Sequence, residues 1–177
     1  MDLFEAVGKR YSYRGGFQDV PVPRADLRKI VQAGIQAPSG CNAQTTSFVI
    51  VDDPALIAQI AGVVDLEVVR EARAVIACVV DHRPVYHQMA FGVEDCAAAV
   101  ENMLLAVTAL GYATVWLDGA LRLEERARRL AAIMGVPDDR EVRIILPLGV
   151  PRTPGAQKEK QPFDERAWYN RHGEAGR

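Results

Sequence analysis

Lys9-Arg10-Tyr11-Ser12-Tyr13-Arg14 gathers three cations and a hydroxyl into six positions. Such a set binds anions: guanidinium and ammonium groups donate charge-assisted hydrogen bonds, and a serine hydroxyl adds a neutral donor. Arg10 and Arg14 are four residues apart. On a continuing helix they share a face and repel, which favours an anionic ligand beside them. Lys158 and Lys160, near the other end of the chain, add two point charges. The chain is cationic at both ends: six Lys and Arg stand against four Asp and Glu in residues 1–51, and again in residues 152–177, whereas residues 52–151 carry nine against fifteen. If folding brings the two ends together, one anion can be shared between them.

Other chemistries find little support. No G-x-G-x-x-G follows a strand pattern and no G-x-x-x-x-G-K-[ST] is present, so neither a Rossmann dinucleotide site nor a P-loop is indicated. His82, His87 and His172 do not pair with Cys or carboxylates at ligand spacing, and no metal site is expected. Cys41 lies in a polar loop without a neighbouring base, while Cys78 and Cys96 read as small core residues. No catalytic side chain is expected. Three cysteines argue against a disulfide framework, and a net charge of −2 over 177 residues gives no reason to expect nucleic acid or an anionic membrane as partner. With 49% apolar and 25% charged residues, no secretory segment and no apolar run long enough to span a bilayer, the chain reads as one cytoplasmic globular domain over residues 1–177.

The elements that must position these residues follow from periodicity. Leu3, Phe4, Val7 and Tyr11 predict an amphipathic helix over 2–12, and Leu27, Ile30, Val31 and Ile35 a second one ended by Ala-Pro-Ser-Gly. Residues 46–53, 73–81, 113–119 and 142–150 read as strands. A helix starts at Asp53-Pro54, where Asp caps and Pro occupies the first turn. The longest helix is expected over 89–110, so apolar around its circumference that it is central to the core or packs against another subunit. Leu123, Ala127, Leu130, Ala131 and Met134 mark a further helix. Residues 151–177 lack core periodicity and are expected to run over the surface or onto a neighbour. Alternation of strands and helices predicts a sheet sandwiched between helical layers.

Taken in order, the R-x-S-x-[RK] cluster at 10–14, the P-S-x-x-N-x-Q loop at 38–44, the Asp-bearing central helix running into Leu-Gly-Tyr-Ala-Thr-Val-Trp-Leu-Asp-Gly, and the K-x-K pair at 158–160 resemble the nitroreductase family of flavin enzymes. The resemblance implies an α+β fold: a three-layer α/β/α sandwich with a central mixed sheet, two chains forming an intertwined homodimer, and residues 151–177 packing on the partner subunit. It implies FMN at the dimer interface. Arg10 and Ser12, flanked by Tyr11 and helped by Lys158 and Lys160, would hold the phosphate and ribityl chain. Arg14 would lie near the N1/O2 edge of the ring, Pro38, Ser39, Gly40 and Asn42 would come from the partner subunit, and the backbone of Leu117, Asp118 and Gly119 would approach N5.

The activity so implied is hydride transfer from NAD(P)H through the flavin to nitroaromatics, quinones or similar electron-poor acceptors, with the hard chemistry on the cofactor. A cation at the N1–C2=O edge suits the negative charge that reduction places there. Two departures bear on specificity: residues 63–74 offer no Asn or Lys for the ring edge, and residues 81–91 are too short for a large lid. An open site is therefore expected, with Tyr86 and His87 as acceptor-pocket or simply surface residues. Reductive dehalogenation, flavin fragmentation and non-catalytic flavin binding or storage remain alternatives on the same fold.

Overall fold

Ala-Val-Ile-Ala-Cys-Val-Val has no polar side chain for either face, so as a strand it requires cover on both sides. In the computed structural model, which describes residues 1–173, this segment is β2 (Ala74–Asp81), an inner strand of a four-stranded sheet of order β1-β2-β4-β3. Its neighbours are β1 (Thr46–Val51) and β4 (Arg140–Gly149), and β3 (Ala113–Thr114) closes the far edge. All four strands pair antiparallel. Among the described residues, the parallel component of the expected mixed sheet is confined to a single bridge between Ser12 and Thr114.

Alternation along β2 divides the core into two layers. Val75, Ala77 and Val79 pack with α3 (Pro54–Val64), the short α4 (Glu67–Arg70) and α6 (Arg126–Met134). Ala74, Ile76, Cys78 and Val80 pack against α2 (Arg24–Ile35) and α5 (Gly92–Ala109). The architecture is thus the α+β three-layer sandwich anticipated above. Cys78 and Cys96 both lie in the second layer, and their mutual hydrogen bond together with burial pushes the Cys78 thiol well above its ordinary range. The register slips between Cys78 and Val79, pairing them with Ile144 and Val142 and leaving Arg143 as the extra residue of a bulge.

Local signals account for several boundaries. Asp53 Oδ1 accepts the Ala55 N–H at 2.8 Å, with Pro54 opening α3. Gly111, at φ +81°, follows the end of α5, a conformation that costs little only for glycine.

Three expected element boundaries need correction. Helix α1 (Leu3–Lys9) ends at Lys9 rather than residue 12. Its Leu3, Phe4 and Val7 face outward, Phe4 with 85% of its surface exposed, and only Ala6 is buried. Helix α5 begins at Gly92, because residues 86–89 form a tight turn with His87 and Gln88 at positive φ and the Met89 N–H bonded to Tyr86 O at 2.7 Å. The third strand shrinks to Ala113–Thr114; the chain leaves the ladder and touches it again only where Leu117 bridges Ile145, next to the bulge. Among the described residues no helix is long and apolar enough to cross a membrane. Residues 174–177, the end of the expected tail extension, lie outside the described residues.

Candidate functional site

Beyond Lys9 the backbone turns extended, with Arg10 at φ −62° and ψ 130°. Tyr13 and Phe17, both buried, pull it along the sheet edge; each such ring stabilises by roughly 1.5–3 kcal/mol. Exposure then alternates: Tyr11 is half-buried, Ser12 exposed, Tyr13 buried and Arg14 exposed. Arg10 and Arg14 therefore do not share a helical face as the sequence suggested. A two-residue alternation instead directs Ser12 and Arg14 away from the side on which the tyrosines pack.

Folding does bring the two ends of the chain together. Tyr13 N–H bonds Thr114 O at 2.8 Å, Gln18 N–H bonds Val150 O at 2.8 Å and Arg152 N–H bonds Gly16 O at 3.0 Å. The Tyr13 hydroxyl donates to Gly16 O at 2.6 Å and accepts from the Arg152 N–H at 3.2 Å. The Gln157 side-chain amide donates to Val7 O at 3.1 Å and Arg10 O at 3.0 Å. Gly155 is required here, since a Cβ would fall 2.2 Å from the Tyr11 ring. Lys158 and Lys160 follow immediately. Both are exposed, as is Arg14, and none of the three has an acidic partner among the described residues. Arg10 has one, at long range: its Nε lies 3.8 Å from Glu101 Oε1 on α5. A groove of about 430 Å³, lined in part by Tyr11, Thr108, Tyr112, Gly155 and Gln157, runs beside this junction.

The second polar segment, residues 37–45, sits at the opposite end of α5. Gly40–Asn42 form a 3₁₀ turn, and Cys41, Asn42 and Gln44 all take φ +52°. For non-glycine residues that conformation costs roughly 1–2 kcal/mol each. The loop is held against this cost by Asp95, only 4% exposed, whose Oδ1 accepts the Gly40 N–H at 2.7 Å and whose Oδ2 accepts the Thr45 hydroxyl at 2.5 Å. The Phe91 ring lies where a Gly40 Cβ would stand, 2.5 Å from it. Arg83 ties the outside, donating to Ala43 O at 2.7 Å while paired with Asp81. Pro38 and Ser39 line a groove of about 340 Å³ between α2, β1 and α5. Along α5, Asp95 stands about 9 Å from Glu101, where Arg10 makes its contact, and about 20 Å from Thr108, which lines the groove beside the tail.

The third segment is positioned by the bulge. Leu117 exchanges backbone bonds with Ile145 at 3.1 and 3.0 Å. The Asp118 carboxylate is gripped by Arg122 at 2.7 and 2.8 Å, and Arg143, projecting from the bulge, reaches it at 3.6 Å. Asp118 thus spends its side chain internally, whereas Gly119 is exposed, with open space where a Cβ would be. Tyr86 and His87 occupy an exposed turn, their rings 4.3 Å apart.

Sequence reasoning did not assign roles to Asp95, Arg83 or Arg143. For Asp95 a signal existed: a carboxylate within a mostly apolar helix is buried only where donors meet it. For Arg143 none did, because the register slip that aims it arises from strand pairing.

These features define a class before any comparison: an α+β sandwich whose cationic termini meet at one sheet edge while a strained polar loop stands at the far end of the central helix. The Nitroreductase family model matches residues 7–74 and 64–150, and the chain belongs to that family. It is 31% identical over 137 residues to a protein of Archaeoglobus fulgidus provisionally named NADH dehydrogenase/NAD(P)H nitroreductase, the match covering 77% of this chain and 78% of that one. A similarly named crystal structure from Bacteroides thetaiotaomicron superposes with TM-score 0.84 at 25% identity, covering 96% of this chain and 97% of the other. An FMN-dependent nitroreductase of Clostridium difficile shares the fold, with TM-score 0.83 at 20% identity and coverage of 96% and 99%.

Proposed function

We propose that the protein is a cytoplasmic, homodimeric, FMN-dependent oxidoreductase that passes electrons from NAD(P)H to nitroaromatics, quinones or similar electron-poor acceptors. The observation that carries this is the junction of the two chain ends, held by the bonds of Gln157 and Arg152, with Arg14, Lys158 and Lys160 exposed and without acidic partners among the described residues, in a chain of the nitroreductase family. The donor set suits a phosphate dianion: guanidinium, two ammonium groups and the Ser12 hydroxyl, with Glu101 at the long Arg10 contact.

In this reading Arg10 and Ser12, with Tyr11 alongside and Lys158 and Lys160 from the tail, hold the phosphate and ribityl chain. Arg14 places a positive charge at the edge of the ring. Pro38, Ser39 and Asn42 of the partner subunit cover it, and Gly40, whose N–H is already bonded to Asp95, shapes that loop. The backbone of Leu117, Asp118 and Gly119 orients the reacting edge. Bound FMN supplies the hydride-accepting and hydride-donating centre, so no side chain of the protein need act as nucleophile.

A dimer is supported by the outward apolar stripe of α1 and by the exposed Phe163 (62%) and Tyr169 (68%) of the tail. Residues 1–177 form one domain, with 151–177 an extension onto the partner. Anaerobic addition of NADH or NADPH to the yellow holoprotein should bleach the flavin band, and a quinone should restore it. A flavin-loaded protein that neither donor bleaches would be a binding or storage protein instead.

A further inference from the structure

Resting on the proposed contact between residues 38–42 and FMN, we propose that Asp95 is the positioning residue of the site, and that it acts on the flavin of the opposite protomer. Its two carboxylate oxygens bracket the arch: one takes the N–H of Gly40 at 2.7 Å and the other the hydroxyl of Thr45 at 2.5 Å. Thr45 is itself buried, and nothing else in the structure offers its hydroxyl an acceptor among the described residues. Between these pins Cys41, Asn42 and Gln44 are exposed and left-handed at φ +52°. The bonds the arch makes within itself are Asn42 N–H to Ser39 O at 2.9 Å, Ala43 N–H to Gly40 O at 2.9 Å and Gln44 N–H to Ser39 Oγ at 3.1 Å. They close turns but do not fix the arch to the body of the protein. With both oxygens consumed inside, Asp95 has none left for substrate or cofactor. Its effect must pass through the loop.

In the proposed function residues 38–42 cover the flavin of the partner subunit while Arg10 binds that of its own chain, so Asp95 and Arg10 belong to different sites of a dimer. A complementation experiment reads this directly. Asp95→Ala and Arg10→Ala chains are co-expressed with different tags, and dimers carrying both are isolated. One site of such a dimer combines an intact Arg10 with an intact loop, and the other has lost both.

Each mutant homodimer should bind FMN roughly tenfold or more weakly than the wild type, as expected for lost charge-assisted bonds. The mixed dimer should regain one site of wild-type affinity. A loop defect that merely loosened the fold would give no such site, and that result would overturn the inference, as would Asp95→Ala homodimers that bind FMN like the wild type. Should Asp95→Ala fail to fold, Thr45→Val in the same pairing removes one pin and carries the same two outcomes. If the wild-type protein itself binds no FMN, the proposed function falls and this inference with it, a result distinct from either.

Discussion

The two polar regions flanking α5 solve opposite problems. At the junction of the termini, backbone and aromatic packing are satisfied internally while cations are left over: Arg14, Lys158 and Lys160 have no acidic partner among the described residues. At the 37–45 loop the reverse holds. A buried carboxylate, an arginine and an aromatic ring are committed to fixing backbone that is individually unfavourable. One region keeps interaction capacity for a partner outside the chain, and the other spends it in advance on shape. A ligand that is anionic at one end and flat at the other is met economically by such a pair, since charge tolerates mobile side chains whereas close packing on a ring does not.

The largest expected effect lies on the rigid side. Gly40→Val should cost about 2–3 kcal/mol of folding stability, because a Cβ there meets the Phe91 ring at 2.5 Å and that ring sits at the start of α5. Urea unfolding at neutral pH measures it. A Gly40→Val protein as stable as wild type would show that the loop yields freely, and the contrast between the regions would disappear.

How legible the two regions were in the sequence follows the same divide. Charge can be counted along a chain, so the cationic excess at both ends was legible from composition, and the bonds from Gln157 and Arg152 bring those two segments together. The loop was recognised by its Pro-Ser-Gly-Cys-Asn motif, yet the residues that hold it, Asp95 and Arg83, are 50 or so and 40 positions downstream of their partners. Contacts at such separation are set by tertiary pairing rather than by local pattern. Strands and layers were legible because β2 is apolar from Ala74 to Val80, which requires burial on both faces. The end of α1 was misread for a comparable reason: Tyr11 fits a helical stripe with Leu3, Phe4 and Val7, but in Tyr-Ser-Tyr-Arg it equally fits a two-residue alternation, and burial of Tyr13 and Phe17 decided for the latter.

On the charged side the expected effects are smaller and mainly on binding. Arg10→Ala should weaken FMN retention by about 1.5–3 kcal/mol with little change in folding stability, measured by fluorescence titration of the apoprotein. Raising the ionic strength should erode the same affinity, since exposed cations are screened over about 10 Å at 0.1 M salt. Glu101→Gln should act in the opposite direction. It releases Arg10 from a 3.8 Å contact with a half-exposed carboxylate, so FMN should bind about two- to fivefold more tightly, in keeping with the small worth of exposed pairs. If Glu101→Gln instead weakened binding, Glu101 would be orienting Arg10, and the junction would be as prearranged as the loop.

The smallest effect tests whether the outer pin of the loop is electrostatic. Asp81 sits below its ordinary range, chiefly because its carboxylate accepts the Arg83 N–H at 2.9 Å and faces the Arg83 guanidinium, with Arg140 adding to the attraction. A carboxyl whose folded pKa is depressed stabilises the fold fully above its unfolded value and loses that contribution as pH falls through the folded one. Wild-type stability and that of Asp81→Asn should therefore differ at neutral pH, with the wild type the more stable, and converge as the solution is acidified below the ordinary carboxylate range. The loss reaches the loop through Arg83, which bonds Ala43 O, so Asp81→Asn should also quicken amide exchange at residues 43–45 at neutral pH while leaving residues 10–14 unchanged. Equal acceleration in both segments would mean that the two regions are mechanically one, and that the division between prearranged shape and reserved charge is not a property of this fold.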